Sequence, residues 1–136
     1  MSSRSETTDI MERIAALHAN LLTTILLLVV VLIGWGMILL IRNRPPPRAA
    51  DALLAITTLL VAANALLGVA LLTAGRRPAQ LELHLIYGLI AALLLPAAHY
   101  YGRDHPPRAR LLIMIAACGF LAAILLRALQ TGVSFN

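Results

Sequence analysis

Four long runs of apolar residues alternate with short polar segments along the chain. The runs cover residues 21–41, 52–74, 83–98 and 111–129 and consist almost entirely of Leu, Ala, Ile and Val. With a helical rise of about 1.5 Å per residue, each run crosses most or all of a hydrocarbon core about 30 Å thick. Helices that are apolar on every face have no surface to present to water. The pattern therefore predicts an all-α fold, an integral-membrane four-helix bundle.

The polar segments between the runs set the ends of the helices. Asp9, followed three residues later by Glu12, matches a capping box at the start of the first helix, and we expect the polar residues before it to fray. The prolines at 45–47 and 106–107 cannot continue a helix, and Gly75 precedes a further proline, Pro78. We expect one domain over residues 1–136, with helices at about 10–42, 50–74, 80–101 and 109–131.

The composition agrees with a membrane location and narrows the class of protein. Of the 136 residues, 60% are hydrophobic and 12% are charged, and 11 arginines against 6 acidic residues give a net charge of +5. The arginines lie in short segments at the helix ends, where they act as topology signals and contact lipid headgroups, so we expect no nucleic-acid partner. The single cysteine, Cys118, excludes an intramolecular disulfide and a thiol redox pair.

The distribution of arginines also predicts an orientation. The loops after the first and third helices hold six arginines, and the opposite side holds five together with an acidic N-terminal segment. Positive residues accumulate on the cytoplasmic side of a membrane. We therefore expect a multi-pass protein of a bacterial-type inner (plasma) membrane, with both termini outside and the proline loops in the cytoplasm.

The two helical hairpins look like copies of each other. The first hairpin turns at Arg44-Pro45-Pro46-Pro47-Arg48, and the second turns at His105-Pro106-Pro107-Arg108. Each hairpin also carries a histidine, His18 or His84, near the head of its first helix. Two pseudo-repeated hairpins related by an axis along the membrane normal would bring these histidines to near-equivalent positions. A chance similarity between two Pro-Arg loops is the alternative.

The histidines lie at one membrane edge together with other polar residues. His18, His84 and Arg127 fall within roughly one helical turn of one another in depth. His84, Tyr87 and Gly88 share a face of the third helix, and the glycine leaves a flat gap beside the imidazole for a planar macrocycle. These residues form a candidate cofactor site in which His18 and His84 are the metal ligands of one haem b. Arg127, with Arg76 or Arg77, would then neutralise the haem propionates.

Other interpretations of the same residues stay open. Histidine, tyrosine and arginine are ordinary interfacial residues that extend to the headgroups, so the set can anchor the bundle without a cofactor. A quinone or lipid site at the outer face of His84, Tyr87 and Arg127 is a further alternative. Zinc is disfavoured because no third or fourth ligand follows at a usable spacing. His99 fits an aromatic belt beside two tyrosines, and Asn64 fits a hydrogen bond to a neighbouring helix.

The four spans, together with Leu83-His84-Leu85-Ile86-Tyr87-Gly88, resemble haem-binding four-helix membrane proteins, nearest to cytochrome b561-type bundles and one half of a haem A synthase-like protein. For His18 and His84, the resemblance implies a single b haem near the outer face. We expect a small subunit that passes electrons within a respiratory or photosynthetic membrane complex and is not an enzyme by itself. The alternative is a cofactor-free accessory or assembly subunit that packs against partner helices.

Overall fold

The structure, a computed structural model, describes residues 2–132 and is an all-α bundle over that range. Its helices are α1 (Ser2–Ile41), α2 (Arg48–Thr73), α3 (Leu81–Gly102) and α4 (Pro107–Gly132). All four are long and apolar enough to cross a membrane. The expected four-helix membrane bundle is therefore confirmed, and the chain is a multi-pass membrane protein.

The helices follow one another around the bundle in chain order. α1 packs against α2, α2 against α3, α3 against α4, and α4 closes the ring against α1. Within the described residues, no Cα atom of α1 lies within 8 Å of a Cα atom of α3, and the same holds for α2 and α4. Short loops make consecutive helices antiparallel, so α1 and α3 run in the same direction on opposite corners. Their N-terminal ends therefore lie at the same end of the bundle.

The first helix begins earlier than the sequence pattern indicated. α1 begins at Ser2 and not near Asp9, so the expected capping box and frayed segment were wrong. No glycine or proline interrupts the residues before the apolar run, so nothing stops the helix from extending. Arg13 also lies 3.8 Å from Asp9 one turn earlier, an exposed pair that adds modest support.

Apolar side chains cover the outside of the bundle as well as its interior, unlike in a water-soluble bundle. Ile25, Leu32 and Leu121 are fully buried between the helices. Large apolar side chains also cover the outside, where Leu59 and Leu66 are 69% and 71% exposed. In a bilayer these exposed side chains face lipid tails, so helix association relies on close packing and on the few interhelical polar contacts.

Close packing between α1 and α4 depends on one glycine. A Cβ atom built at Gly36 would lie 2.9 Å from Ile115 Cγ1 and 3.0 Å from Met114 Cε, whereas one at Gly34 would meet nothing within 4 Å. Gly36 thus permits the close contact between α1 and α4. Gly34 has no such role.

We expect Gly36→Val to weaken the bundle by about 1–3 kcal/mol, because the added methyl groups must push α4 away from α1. The measurement is the free energy of unfolding in mixed detergent micelles, followed by circular dichroism. Gly34→Val is the matched control, since it introduces the same side chain on the same helix into open space. Equal destabilisation by the two variants would contradict a packing role for Gly36.

Candidate functional site

Two imidazoles face each other across the bundle axis. His18 lies on α1 and His84 on α3, and their ring centroids are 6.3 Å apart with the ring planes tilted by 56°. Because α1 and α3 occupy opposite corners, the imidazoles meet in the space that the four helices enclose. The sequence-based expectation that both histidines lie in one layer is confirmed by this distance.

A main-chain carbonyl on the next helix orients each imidazole. His18 Nδ1 lies 3.1 Å from the carbonyl oxygen of Asn64, and His84 Nδ1 lies 3.3 Å from that of Ala128. A carbonyl oxygen only accepts hydrogen bonds, so each Nδ1 carries the proton and donates it. In a neutral imidazole, Nε2 then keeps its lone pair and is the nitrogen able to bind a metal.

A glycine makes room for each imidazole against the neighbouring helix. A Cβ atom at Gly68 would lie 3.3 Å from His18 Cε1, and one at Gly132 would lie 3.3 Å from His84 Cε1. Each glycine follows its accepting carbonyl by four residues, one helical turn. The two hairpins therefore hold their histidines in the same way, as two pseudo-repeated units would.

Two cavities adjoin the histidine pair. The deeper cavity has a volume of about 370 Å³, and Leu22, Ile25 and Leu125 contribute to its apolar wall. The shallower cavity has a volume of about 290 Å³ and extends toward the membrane edge, where Arg76 and Pro78 line it. Both cavities include His18 and His84. Apart from these histidines and Asn64, the deeper cavity is lined by apolar residues, whereas the shallower one reaches a cation.

The deeper cavity opens sideways between α2 and α3. On the α1 and α4 side, its lining residues Ile25 and Leu125 are buried. On the α2 and α3 side, Val69 is 54% exposed and Leu89 is 62% exposed. In a bilayer, this cavity is therefore accessible from the lipid phase through the gap between α2 and α3.

A turn at the end of α2 places the cation at the site. Gly75 has a φ of +84°, and the Arg76 N–H donates to the carbonyl of Leu71 over 3.0 Å. This is a Schellman-type ending, for which glycine is favoured because other residues are strained at positive φ. The helix ends there, and the half-buried Arg76 lines the shallower cavity.

Of the other predicted site residues, one lines a cavity beside the histidines and two do not. Gly88 lines the deeper cavity, and a Cβ atom there would meet nothing within 4 Å, in line with the expected gap beside His84. Tyr87 packs against the hydrophobic core. Arg127 is exposed, and its guanidinium donates to Gln130 Oε1 over 3.4 Å. Neither Tyr87 nor Arg127 is among the described residues that line the two cavities.

Helical geometry explains why Arg127 lies away from the cavities. Ala128, which carries the carbonyl that orients His84, faces the cavities, and adjacent residues on a helix point about 100° apart. The face of α4 turned to the histidines therefore contains Leu125, Ala128 and Gly132. Arg127 does not line either cavity, and of the arginines expected at the site Arg76 is the one that does.

The side chains at the site that could ligate a metal are the two imidazoles. Within the described part of the chain, no three His, Cys, Asp or Glu side chains cluster closely enough to hold an ion by themselves. Two imidazoles can supply the two axial ligands of a haem iron. The two rings lie 6.3 Å apart between centroids and are tilted by 56°. Each Nδ1 is engaged by a carbonyl, so a metal held by both imidazoles would bind their Nε2 atoms.

Asn64 contributes through its backbone. Its side chain is only 7% exposed and its Oδ1 has no hydrogen-bond partner among the described residues, whereas its carbonyl accepts the bond from His18. The expected side-chain hydrogen bond to a neighbouring helix is therefore not made by this oxygen. The link between α1 and α2 at this depth is the imidazole–carbonyl bond.

We expect Asn64→Leu to leave the site intact and to raise the free energy of unfolding by about 1 kcal/mol, because it removes a buried oxygen without a partner. The two measurements are the affinity for added haemin and the free energy of unfolding in detergent. A large loss of ligand affinity would contradict this prediction and would mean that the amide itself contacts the ligand.

The remaining histidines lie at the opposite end of the bundle. His99 is exposed and borders a small cavity of about 20 Å³ together with Asp51 and Arg110. His105 Nδ1 donates to the carbonyl of Tyr101 over 2.9 Å, and the two rings contact each other with centroids 4.6 Å apart and planes tilted by 42°. Both residues lie far from the pair formed by His18 and His84.

Fold and site together define a class of protein: a four-helix membrane bundle with two oriented imidazoles from diagonal helices. Comparison with protein-family models, with curated proteins and with solved structures finds no match. What the site binds is therefore inferred from its geometry and chemistry.

Proposed function

We propose that the protein binds one b-type haem between His18 and His84 and transfers electrons as a small subunit of a larger membrane complex. The observation that carries this proposal is the pair of imidazoles, 6.3 Å apart between centroids, each held by a main-chain carbonyl. Haem supplies reversible one-electron chemistry at its iron when both axial positions are filled by protein.

The residues around the pair have distinct roles in this proposal. The carbonyls of Asn64 and Ala128 hold the imidazoles in the tautomer that leaves Nε2 free, which also raises the basicity of the ligands. Leu22, Ile25 and the other apolar residues of the deeper cavity exclude water from the macrocycle. Arg76, at the membrane edge of the shallower cavity, compensates the carboxylates of the haem propionates.

A haem held by both imidazoles would have no open position for a substrate, so the chemistry it would supply is electron transfer. The exposed apolar faces of the bundle suit partner helices as well as lipid, and the chain carries little mass outside the helices. In this proposal, the protein is a subunit of a respiratory or photosynthetic assembly of a bacterial-type inner membrane. Because positive residues accumulate on the cytoplasmic side, we propose that the arginine-rich proline loops lie in the cytoplasm and that both termini lie outside.

The test is a visible spectrum of the protein purified in detergent after expression with ample haem, recorded oxidised and after reduction with dithionite. A sharp reduced α-band of b type, with one iron per chain, is the expected result. Colourless protein that also fails to bind added haemin would overturn the proposal in favour of a cofactor-free accessory subunit. A bound quinone or lipid without iron would favour a lipid-soluble ligand in the same cavities.

A further inference from the structure

A separate cavity lies between the two proline-containing loops, at the opposite end of the bundle from His18 and His84. Its volume is about 370 Å³. Three polar residues line the cavity. Asn43 and Arg44 follow the end of α1, and Arg108 lies in the first turn of α4. Its apolar lining residues belong to the membrane-spanning parts of α1 and α4, and are Leu39, Leu40 and Leu111. The cavity is thus polar at the membrane edge and apolar on the bilayer side.

The two arginines of this cavity have no carboxylate partner among the described residues. Two other arginines at this end have one: Arg110 lies 2.7 Å from Asp51, and Arg103 lies 3.6 Å from Asp104. Arg42 and Arg48 also have none among the described residues, but they do not line the cavity. Arg108 donates to the neutral side chain of Asn43, and Arg44 makes no side-chain hydrogen bond within the described chain. Two positive charges therefore remain uncompensated at the edge of an apolar cavity.

The backbone around the cavity is well defined. Asn43 has a φ of +49°, and the Arg44 N–H donates to the carbonyl of Leu39 over 2.9 Å, which ends α1 in a Schellman-type turn. The prolines on both loops restrict φ and reduce the freedom of the loop backbones. The contact from Arg108 to Asn43 also joins the first loop to the second. The two arginines are thus presented by an ordered frame.

We propose that this cavity binds the phosphate of an anionic phospholipid. Arginine presents paired N–H donors that match phosphate oxygens, and Arg44 and Arg108 supply two such groups at headgroup depth. The acyl chains of the lipid lie along Leu39 and Leu40, below the phosphate. A free anion would gain nothing from contact with the apolar half of the cavity, whereas the acyl chains of a lipid would pack against it. The chemistry therefore favours a lipid as the ligand.

The experiment is native mass spectrometry of the purified full chain with dioleoyl phosphatidylglycerol, and with dioleoyl phosphatidylcholine for comparison. The variant Arg44→Gln/Arg108→Gln removes the two cavity charges. Its matched control is Arg42→Gln/Arg48→Gln, which removes the same charge from likewise exposed residues at the same end of the bundle that do not line the cavity. A parallel series adds millimolar inorganic phosphate. Circular dichroism of each variant verifies its helix content.

We expect wild-type protein to retain one phosphatidylglycerol through purification and to prefer it to phosphatidylcholine. The cavity variant should lose about tenfold or more of this affinity, and the control less than about threefold. Equal losses in both variants, or no preference between the lipids, would overturn the site and indicate diffuse surface charge. Displacement of the lipid by inorganic phosphate would overturn the lipid assignment. The wild-type comparisons decide the question even if a variant fails to fold.

Discussion

Replacing either His18 or His84 with alanine should abolish the reduced b-type spectrum of the haem-loaded protein. Each substitution removes one of the two imidazoles that face each other at 6.3 Å, and the apolar cavities offer no other ligand of comparable strength among the described residues. Loss of a hydrogen-bond partner to a ligating histidine typically lowers metal affinity by about 10–100-fold, so loss of the ligand itself should exceed that. The measurement is haemin titration followed by absorbance, with iron content determined on the same samples.

His99→Ala is the matched control for this experiment. His99 is an exposed histidine of α3 at the opposite end of the bundle from His84, so its removal should leave the spectrum unchanged. An unaltered spectrum in His18→Ala or His84→Ala would show that the haem is held elsewhere. If His99→Ala reduced the b-type absorbance as strongly as His18→Ala or His84→Ala, the ligand assignment would be wrong.

Gly68→Val should lower haem affinity by about 10–100-fold without touching a ligand. A Cβ atom at this position already comes to 3.3 Å from His18 Cε1, and the two further methyl groups of valine must displace the imidazole. Displacement breaks the bond from Nδ1 to the carbonyl of Asn64, so the ring loses its fixed orientation. Gly68→Ala requires a shift of only a few tenths of an ångström and should have a smaller effect.

The control for Gly68→Val is Gly119→Val on α4, where a Cβ atom would meet nothing within 4 Å. Both changes replace glycine with the same side chain within a membrane-spanning helix, so a general effect on helix stability would appear in both. Haemin titration and the position of the reduced α-band are the readouts. Full affinity in Gly68→Val would show that contact with His18 does not decide the orientation of the imidazole.

The location of the helices in the sequence could be predicted because hydropathy is a local property. Each apolar run is long enough to span a bilayer by itself, and prolines end the helices at the two loops. The start of α1 could not be placed in the same way. A cap at Asp9 is locally reasonable, but nothing in the preceding residues prevents the helix from continuing back to Ser2.

The candidate site was only partly predictable. His18 and His84 stood out because polar residues are rare in apolar spans, and Gly88 followed from its spacing to His84. The partners that orient the imidazoles were missed because they are main-chain carbonyls, which every residue has. Gly68 and Gly132 carried a usable signal, since each lies on the helix that follows a histidine within the same hairpin.

The sequence by itself determined four membrane-spanning helices, their short connections and the common depth of the two histidines. These depend on local hydropathy and on helical rise. Only the tertiary structure decided that α1 and α3 are diagonal, that Arg76 and not Arg127 lines the cavity, and that the imidazoles bind carbonyls of α2 and α4. The physical reason is that helices apolar on all faces have no preferred side in the pattern. The rotation of each helix is set by packing against its neighbours.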